Sequence, residues 1–160
     1  MAPTTGLMPT VGQGECFACV MTRAIGTLPA REAIVVRGGW RLAHDLGSSL
    51  PGWLVVTLLR HVDRMDELDD GEAAALGPLL KDATESLIEV TGCTKTYVMQ
   101  FGEGEGFGHL HVHLVPRMPH IPEGLKGPAV FGYQGGVAVA ESDRDALALK
   151  LRASLLHGSA

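Results

Sequence analysis

Alternating apolar and polar residues predict where this chain forms strands, and apolar residues three or four apart predict where it forms helices. Residues 33–46, AIVVRGGWRLAHDL, read as two short strands broken at Gly38-Gly39, since a glycine pair punctuates an otherwise extended pattern. SSLPG then signals a turn. Residues 53–60, WLVVTLLR, have the length and β-branched content of a buried strand, with His61 just past its end. From about Asp70 to Thr91, Leu76, Leu79, Leu80, Ala83, Leu87 and Val90 keep one face at helical spacing. Asp69 with Glu72 forms a capping box, and Gly92 suits the left-handed residue after a helix. Pro78 inside this helix loses a backbone bond at a cost of ~3 kcal/mol, so a kink is expected there.

Residues 95–101 (KTYVMQF) and 109–115 (HLHVHLV) are two further strands, and the short glycine-rich GEGEGFG between them predicts an antiparallel hairpin. Residues 116–136 hold too much proline and glycine for a regular element and read as a long loop, functional in character over 118–136. Residues 142–156 read as a last helix capped by Ser142. This order predicts an α+β fold: an antiparallel sheet of about five strands, with one long helix against it and a C-terminal helix.

Composition changes the picture in three ways. At 160 residues the chain suits one domain over 15–160, preceded by a Gly-, Pro- and Thr-rich arm over 1–14 expected to be flexible. That arm has neither the basic nor the apolar region of a secretory signal, and no apolar run approaches the roughly 18 residues of a membrane span. A cytoplasmic protein without a membrane partner is therefore expected. The net charge of −5, with Lys and Arg scattered singly, argues against a nucleic-acid surface but leaves small nucleotides open. Three cysteines are an odd count and make no disulfide framework. Cys16 and Cys19 form the one spaced pair, and Cys93 reads as a buried apolar thiol.

The candidate chemistry lies in GFGHLHVHLVPR. Strand alternation sets His109, His111 and His113 on one face, each ~6.8 Å from the next, with Leu110, Val112 and Leu114 on the other. A solvated face would favour Thr, Lys or Glu instead. A metal site is a second reading, since imidazoles two apart can share an ion. Catalysis is a third, with one imidazole as nucleophile and its neighbours as orienters and donors.

HLHVHLV resembles, at all seven positions, the His-φ-His-φ-His-φ-φ signature of the histidine triad proteins. Pro116-Arg117 resembles the hydrolase branches. Asp45, then Pro51-Gly52, an apolar strand and His61 follow the family's order, and ECFACVMTR resembles the Cys-x-x-Cys opening of many bacterial members. The resemblance runs from about residue 15 to 117. It implies a nucleotidyl hydrolase or transferase acting on a small nucleotide conjugate: a phosphoramidate, an adenylated small molecule or a dinucleoside polyphosphate. His111 would attack the α-phosphorus and form a covalent nucleotidyl-histidine. His113 would donate to a phosphate oxygen or the leaving group, and His109 and His61 would complete the cluster.

The same resemblance assigns Asp45 to the ribose, although an Asp before Gly47 also forms turns. Gln100, Gly106 and Gly108 are the other nucleotide-binding candidates, the glycines through backbone N–H groups. It implies a structural zinc ion on Cys16, Cys19, His61 and His109, and a homodimer. His113 separates the chain from the uridylyltransferase branch, which has glutamine there. The chain departs from the pattern before the triad, where EGFG puts Glu105 and Gly106 in place of an amide and a hydroxyl. Trp53, Leu58 and Leu59 also replace more polar residues. Two other classes stay open: a nucleotide-binding protein with little catalysis, and a metal-dependent enzyme with the histidine row as ligands. His44 reads as a half-exposed strand residue, His120 and His157 as solvated, and Trp40 and Trp53 as core or dimer contacts that could line a base pocket.

Overall fold

Five strands form one antiparallel sheet in the order β1-β2-β3-β5-β4, from β1 (Val35–Arg37), β2 (Trp40–His44), β3 (Leu54–Leu58), β4 (Lys95–Met99) and β5 (His111–Arg117). The computed structural model describes residues 6–158. Residues 1–5 of the expected arm thus lie outside the described residues, and residues 6–14 form no helix or strand. The α+β arrangement expected from the pattern is the one observed, including the β4–β5 hairpin.

Register decides which residues face which layer. The pairs Leu42↔Val56, Val56↔Val112 and Leu54↔Leu114 put these side chains on one face. There they pack with Leu79, Ala83 and Leu87 of α2 (Asp70–Thr91) and Leu151 of α3 (Glu141–His157). Burying each such side chain is worth about 1.5–3 kcal/mol, and a one-residue slip would turn the whole row to the opposite face. The pairs Arg41↔Thr57, Thr57↔His111 and Val55↔His113 occupy that opposite face. A smaller apolar cluster of Leu50, Trp53, Val115, Ile121 and Val130 covers part of it.

The long helix has the bounds and caps its sequence predicts. Glu72 N donates to Asp69 Oδ1 at 2.7 Å, Asp69 N donates to Glu72 Oε2 at 3.0 Å, and Gly92 takes φ 73°. The helix continues through Pro78.

Four elements differ from expectation. A short helix, α1 (Phe17–Arg23), occupies the Cys-x-x-Cys segment. Helix α3 begins at Glu141 with Ala140 as N-cap, so Ser142 lies inside the first turn and makes no cap. Arg31 instead anchors that end, reaching Glu141 at 2.9 Å and Asp145 at 2.6 Å. Strand β5 extends through Pro116 and Arg117, which the sequence assigns to the loop. Proline fits there because pairing with β3 ends at Leu114, leaving no partner for a missing N–H. The remaining loop holds 3₁₀ turns at Glu123–Leu125 and Gly127–Tyr133.

Candidate functional site

His111 and His113 share the sheet face opposite the helices, as strand alternation requires. His109 does not belong to the strand, since β5 begins at His111. Its ring is 1% exposed, and Nε2–H donates to the Leu58 carbonyl at 2.6 Å. That bond leaves Nδ1 with its lone pair. It points toward Cys16 Sγ at 3.4 Å, Cys19 Sγ at 3.6 Å and His61 Nδ1 at 3.1 Å. Cys19 Sγ in turn lies 3.3 Å from His61 Nδ1, and the four ligand atoms fall within 4.8 Å of one another. A tetrahedral ion bound by two thiolates and two imidazoles spaces its ligand atoms about 3.3–3.8 Å apart. The donor set and its spacing therefore fit such an ion, with Leu58 as the carbonyl that orients a ligand histidine. The sequence-predicted Cys16, Cys19, His61 and His109 are brought together although up to 93 positions separate them.

His111 is held differently. Its Nδ1–H donates to the His109 carbonyl at 2.7 Å, so Nε2 carries the lone pair. His113 has the reverse tautomer: its Nδ1 accepts from Trp53 Nε1 at 3.1 Å, which leaves the proton on Nε2. The two rings lie edge to face with centroids 5.0 Å apart. Burial, reinforced by the neighbouring His111, pushes the His113 imidazole down to about 4, against a smaller opposing pull from Asp45. His113 is thus neutral across the physiological range.

Asp45 forms the turn its sequence allowed and also lines the cleft. Its Oδ2 accepts from Gly47 N at 3.0 Å and Ser48 N at 2.8 Å, the bonds of a turn. It also accepts from Gln134 Nε2 at 3.0 Å, and the residue lines the same cleft as the histidines. His44 is buried rather than half-exposed: it accepts from Gly52 N at 2.9 Å and donates from Nδ1 to the Asp45 carbonyl. Burial lowers its pKa. It therefore braces the turn that carries Asp45.

The cleft measures about 680 Å³, within the range of small-molecule sites. Ala43, Val55 and Thr57 form its floor, and Phe17, Phe107 and Phe131 stand at its sides. Gln100, Gly106 and Gly108 do not line it. The Gln100 amide donates to the Phe101 carbonyl, and Gly106 takes φ 78° while its carbonyl accepts from Phe17 N. Gly102, Gly104 and Phe107 of the same segment do line it. Glu105 is exposed and does not line the cleft, whereas Glu103 is exposed and does.

Sequence reasoning missed two charged residues of the cleft, Glu32 and Arg41, and the Trp53–His113 bond. Arg41 had a signal, because it shares strand parity with Ala43 and Asp45. Glu32 had none, as it sits in a 3₁₀ turn over Ala30–Glu32. Burial raises the Glu32 carboxyl above its ordinary value, opposed by Arg41, Arg144 and Arg31, and burial lowers Arg41. Trp40 is core, its Nε1 donating to the Glu72 carbonyl, and His120 and His157 are exposed. Cys93 is a buried thiol.

No protein-family model matches the chain, and no curated protein matches its sequence. Solved structures do match in fold. A zinc-bound histidine triad family protein from Mycobacterium smegmatis is 16% identical at TM-score 0.67, over 92% of this chain and 98% of that one. A hypothetical histidine triad nucleotide-binding protein from Sulfolobus tokodaii is 17% identical at TM-score 0.66, over 87% and 93%. Plasmodium falciparum diadenosine triphosphate hydrolase is 14% identical at TM-score 0.63, over 83% and 82%. No helix among the described residues is long and apolar enough to cross a membrane.

Proposed function

We propose, for a chain that has the fold of the histidine triad proteins, that it hydrolyses a nucleoside monophosphate conjugate through a covalent intermediate on His111. The observation that carries this reading is the 2.7 Å bond from His111 Nδ1–H to the His109 carbonyl. It fixes the tautomer, leaves Nε2 as the nucleophile, and stabilises the positive charge that develops on the ring once Nε2 bonds to phosphorus.

In the first step the Nε2 lone pair attacks the α-phosphorus. The bond to the leaving group breaks, and the leaving atom departs with the electron pair and takes a proton from solvent. His113 Nε2–H, held outward by Trp53, donates a hydrogen bond to a non-bridging phosphate oxygen. A water molecule then attacks phosphorus from the vacated side and releases a proton to solvent, the P–N bond breaks with its electron pair returning to Nε2, and nucleoside monophosphate leaves with His111 neutral again. Asp45, oriented by Gly47, Ser48 and Gln134, accepts from ribose hydroxyls through the carboxylate oxygen that those bonds leave over.

Cys16, Cys19, His61 and His109 would hold a zinc ion, whose contribution is to clamp α1 to the segment entering β5. His109 then acts on the reaction only through its carbonyl. The sulfur and imidazole donors, the 3.1–3.6 Å spacing and the zinc-bound relative support this assignment. A homodimer belongs to the same reading, supported by the open edge of β4 beside exposed Val98 and Phe101.

The test is incubation with a panel of nucleotide phosphoramidates, adenylated small molecules and dinucleoside polyphosphates under acid quench. Released monophosphate together with a nucleotidyl mass adduct on the peptide carrying His111 is expected. Turnover with the adduct on another residue, or with none at any quench time, overturns the mechanism.

A further inference from the structure

We propose that Arg41 and Glu32 form a base-reading subsite at the deep end of the cleft, and that the base it selects is guanine. This rests on the nucleotide reading above. Strand alternation sets Asp45, Ala43 and Arg41 on one side of β2 and its end, each ~6.8 Å from the next. With the sugar at Asp45, the small Ala43 leaves room for a flat ring above the strand. Arg41 then meets the far edge of that ring. On the neighbouring strands Arg41 pairs with Thr57, which pairs with His111, so this edge lies across the sheet from the nucleophile.

The two charged residues are unfinished. Glu32 is 1% exposed and Arg41 2%, yet both line the cleft. Each keeps a buried atom without a partner, Oε1 of Glu32 and Nε of Arg41. They do not satisfy each other: Arg41 Nη1 donates to the Glu32 backbone carbonyl at 2.5 Å but stops 3.9 Å from its carboxylate. Arg31 and Arg144 also stop at 3.9 Å from that carboxylate. Nor is the pair needed to fasten residues 30–34 to α3. Arg31 does so through Asp145 and Glu141, and Arg152 through the carbonyls of Ala33 and Ile34. Buried polar groups nearly always find a partner, so a ligand edge that supplies one would bind here.

That edge must carry N–H donors for Glu32 beside an acceptor for Arg41. Guanine presents N1–H and the 2-amino group next to O6, a donor–donor–acceptor row that a carboxylate and a guanidinium read together. Adenine offers one amino group beside the bare N1, whose lone pair would face the carboxylate. Pyrimidines are a ring shorter and fall short of Arg41 from a sugar at Asp45.

The experiment is calorimetric titration of the unmutated protein with GMP, IMP, AMP and CMP. GMP should bind at least about tenfold more tightly than AMP or CMP, with IMP, which lacks the 2-amino group, in between. Arg41→Met and Glu32→Gln should each bring GMP and AMP affinities together. AMP binding as tightly as GMP in the unmutated protein overturns the subsite while leaving the nucleotide reading standing. Binding of none of the four overturns the nucleotide reading, and the subsite with it.

Discussion

The two ends of one cleft are built in opposite ways. At the histidine end every ring has a nitrogen already fixed: His109 by the Leu58 carbonyl, His111 by the His109 carbonyl, His113 by the Trp53 indole. At the deep end the Arg41 guanidinium stops 3.9 Å from the Glu32 carboxylate, and both side chains keep a buried atom unbonded. The difference separates preorganised chemistry from recognition. Groups that act on developing charge gain by being set in advance. Groups that choose a ligand gain by having bonds that only the right ligand completes.

The largest effect should come from breaking the fixed end. His111→Asn is expected to lower kcat by more than about 10³-fold while changing nucleotide affinity by less than about tenfold; turnover near the unmutated rate would move the chemistry elsewhere. Removing metal comes next. Chelation, or Cys16→Ser, should lower the melting temperature by about 10 °C, in step with loss of about one zinc per chain by atomic emission. An unchanged melting temperature would detach the Cys-His cluster from the fold.

Trp53→Phe is subtler, because it keeps an aromatic ring and deletes only the donor to His113. A roughly tenfold loss of kcat with little change in KM is expected, along with a higher His113 pKa, since the lost bond stabilises the neutral ring. A ¹⁵N spectrum still showing Nε2–H alone and the original pKa would make the indole mere packing.

The smallest effect is on stability with pH. His113 titrates at about 4 in the folded chain, against an ordinary 6.5. Between those values the unfolded chain takes a proton that the folded one refuses, so stability is intact above about 6.5 and falls as pH drops toward 4. Buried His44 shifts in the same direction. Melting curves at pH 7, 5.5 and 4.5 should show this, with a shallower fall in His113→Gln.

Much of the frame was legible because it is local. The capping box at Asp69 and Glu72, the left-handed Gly92 and the apolar stripe between them involve residues within a few turns of one another, and they predict the long helix to its ends. The alternation HLHVHLV likewise predicts which side chains of β5 face the helices, since a strand has no other way to place them. Where local rules failed, a distant contact had overridden them. Ser142 lost the cap because Arg31 holds that helix end. His44 is buried because the turn at Gly52 folds over it.

The division of labour within the histidine row was implied only by the family resemblance, and the partners that fix the rings of His109 and His113 were not legible at all. Three identical side chains at equal spacing became a candidate ligand, a candidate nucleophile and a neutral donor because different atoms meet their rings: two cysteines and His61, a backbone carbonyl, and an indole 60 positions away. Period-two alternation is a property of one strand and is written in its residues. A tautomer is decided by whichever group arrives beside each nitrogen: for His111 that is a carbonyl two residues away, but for His109 and His113 the segment 53–58 and α1 must already be docked before that group exists.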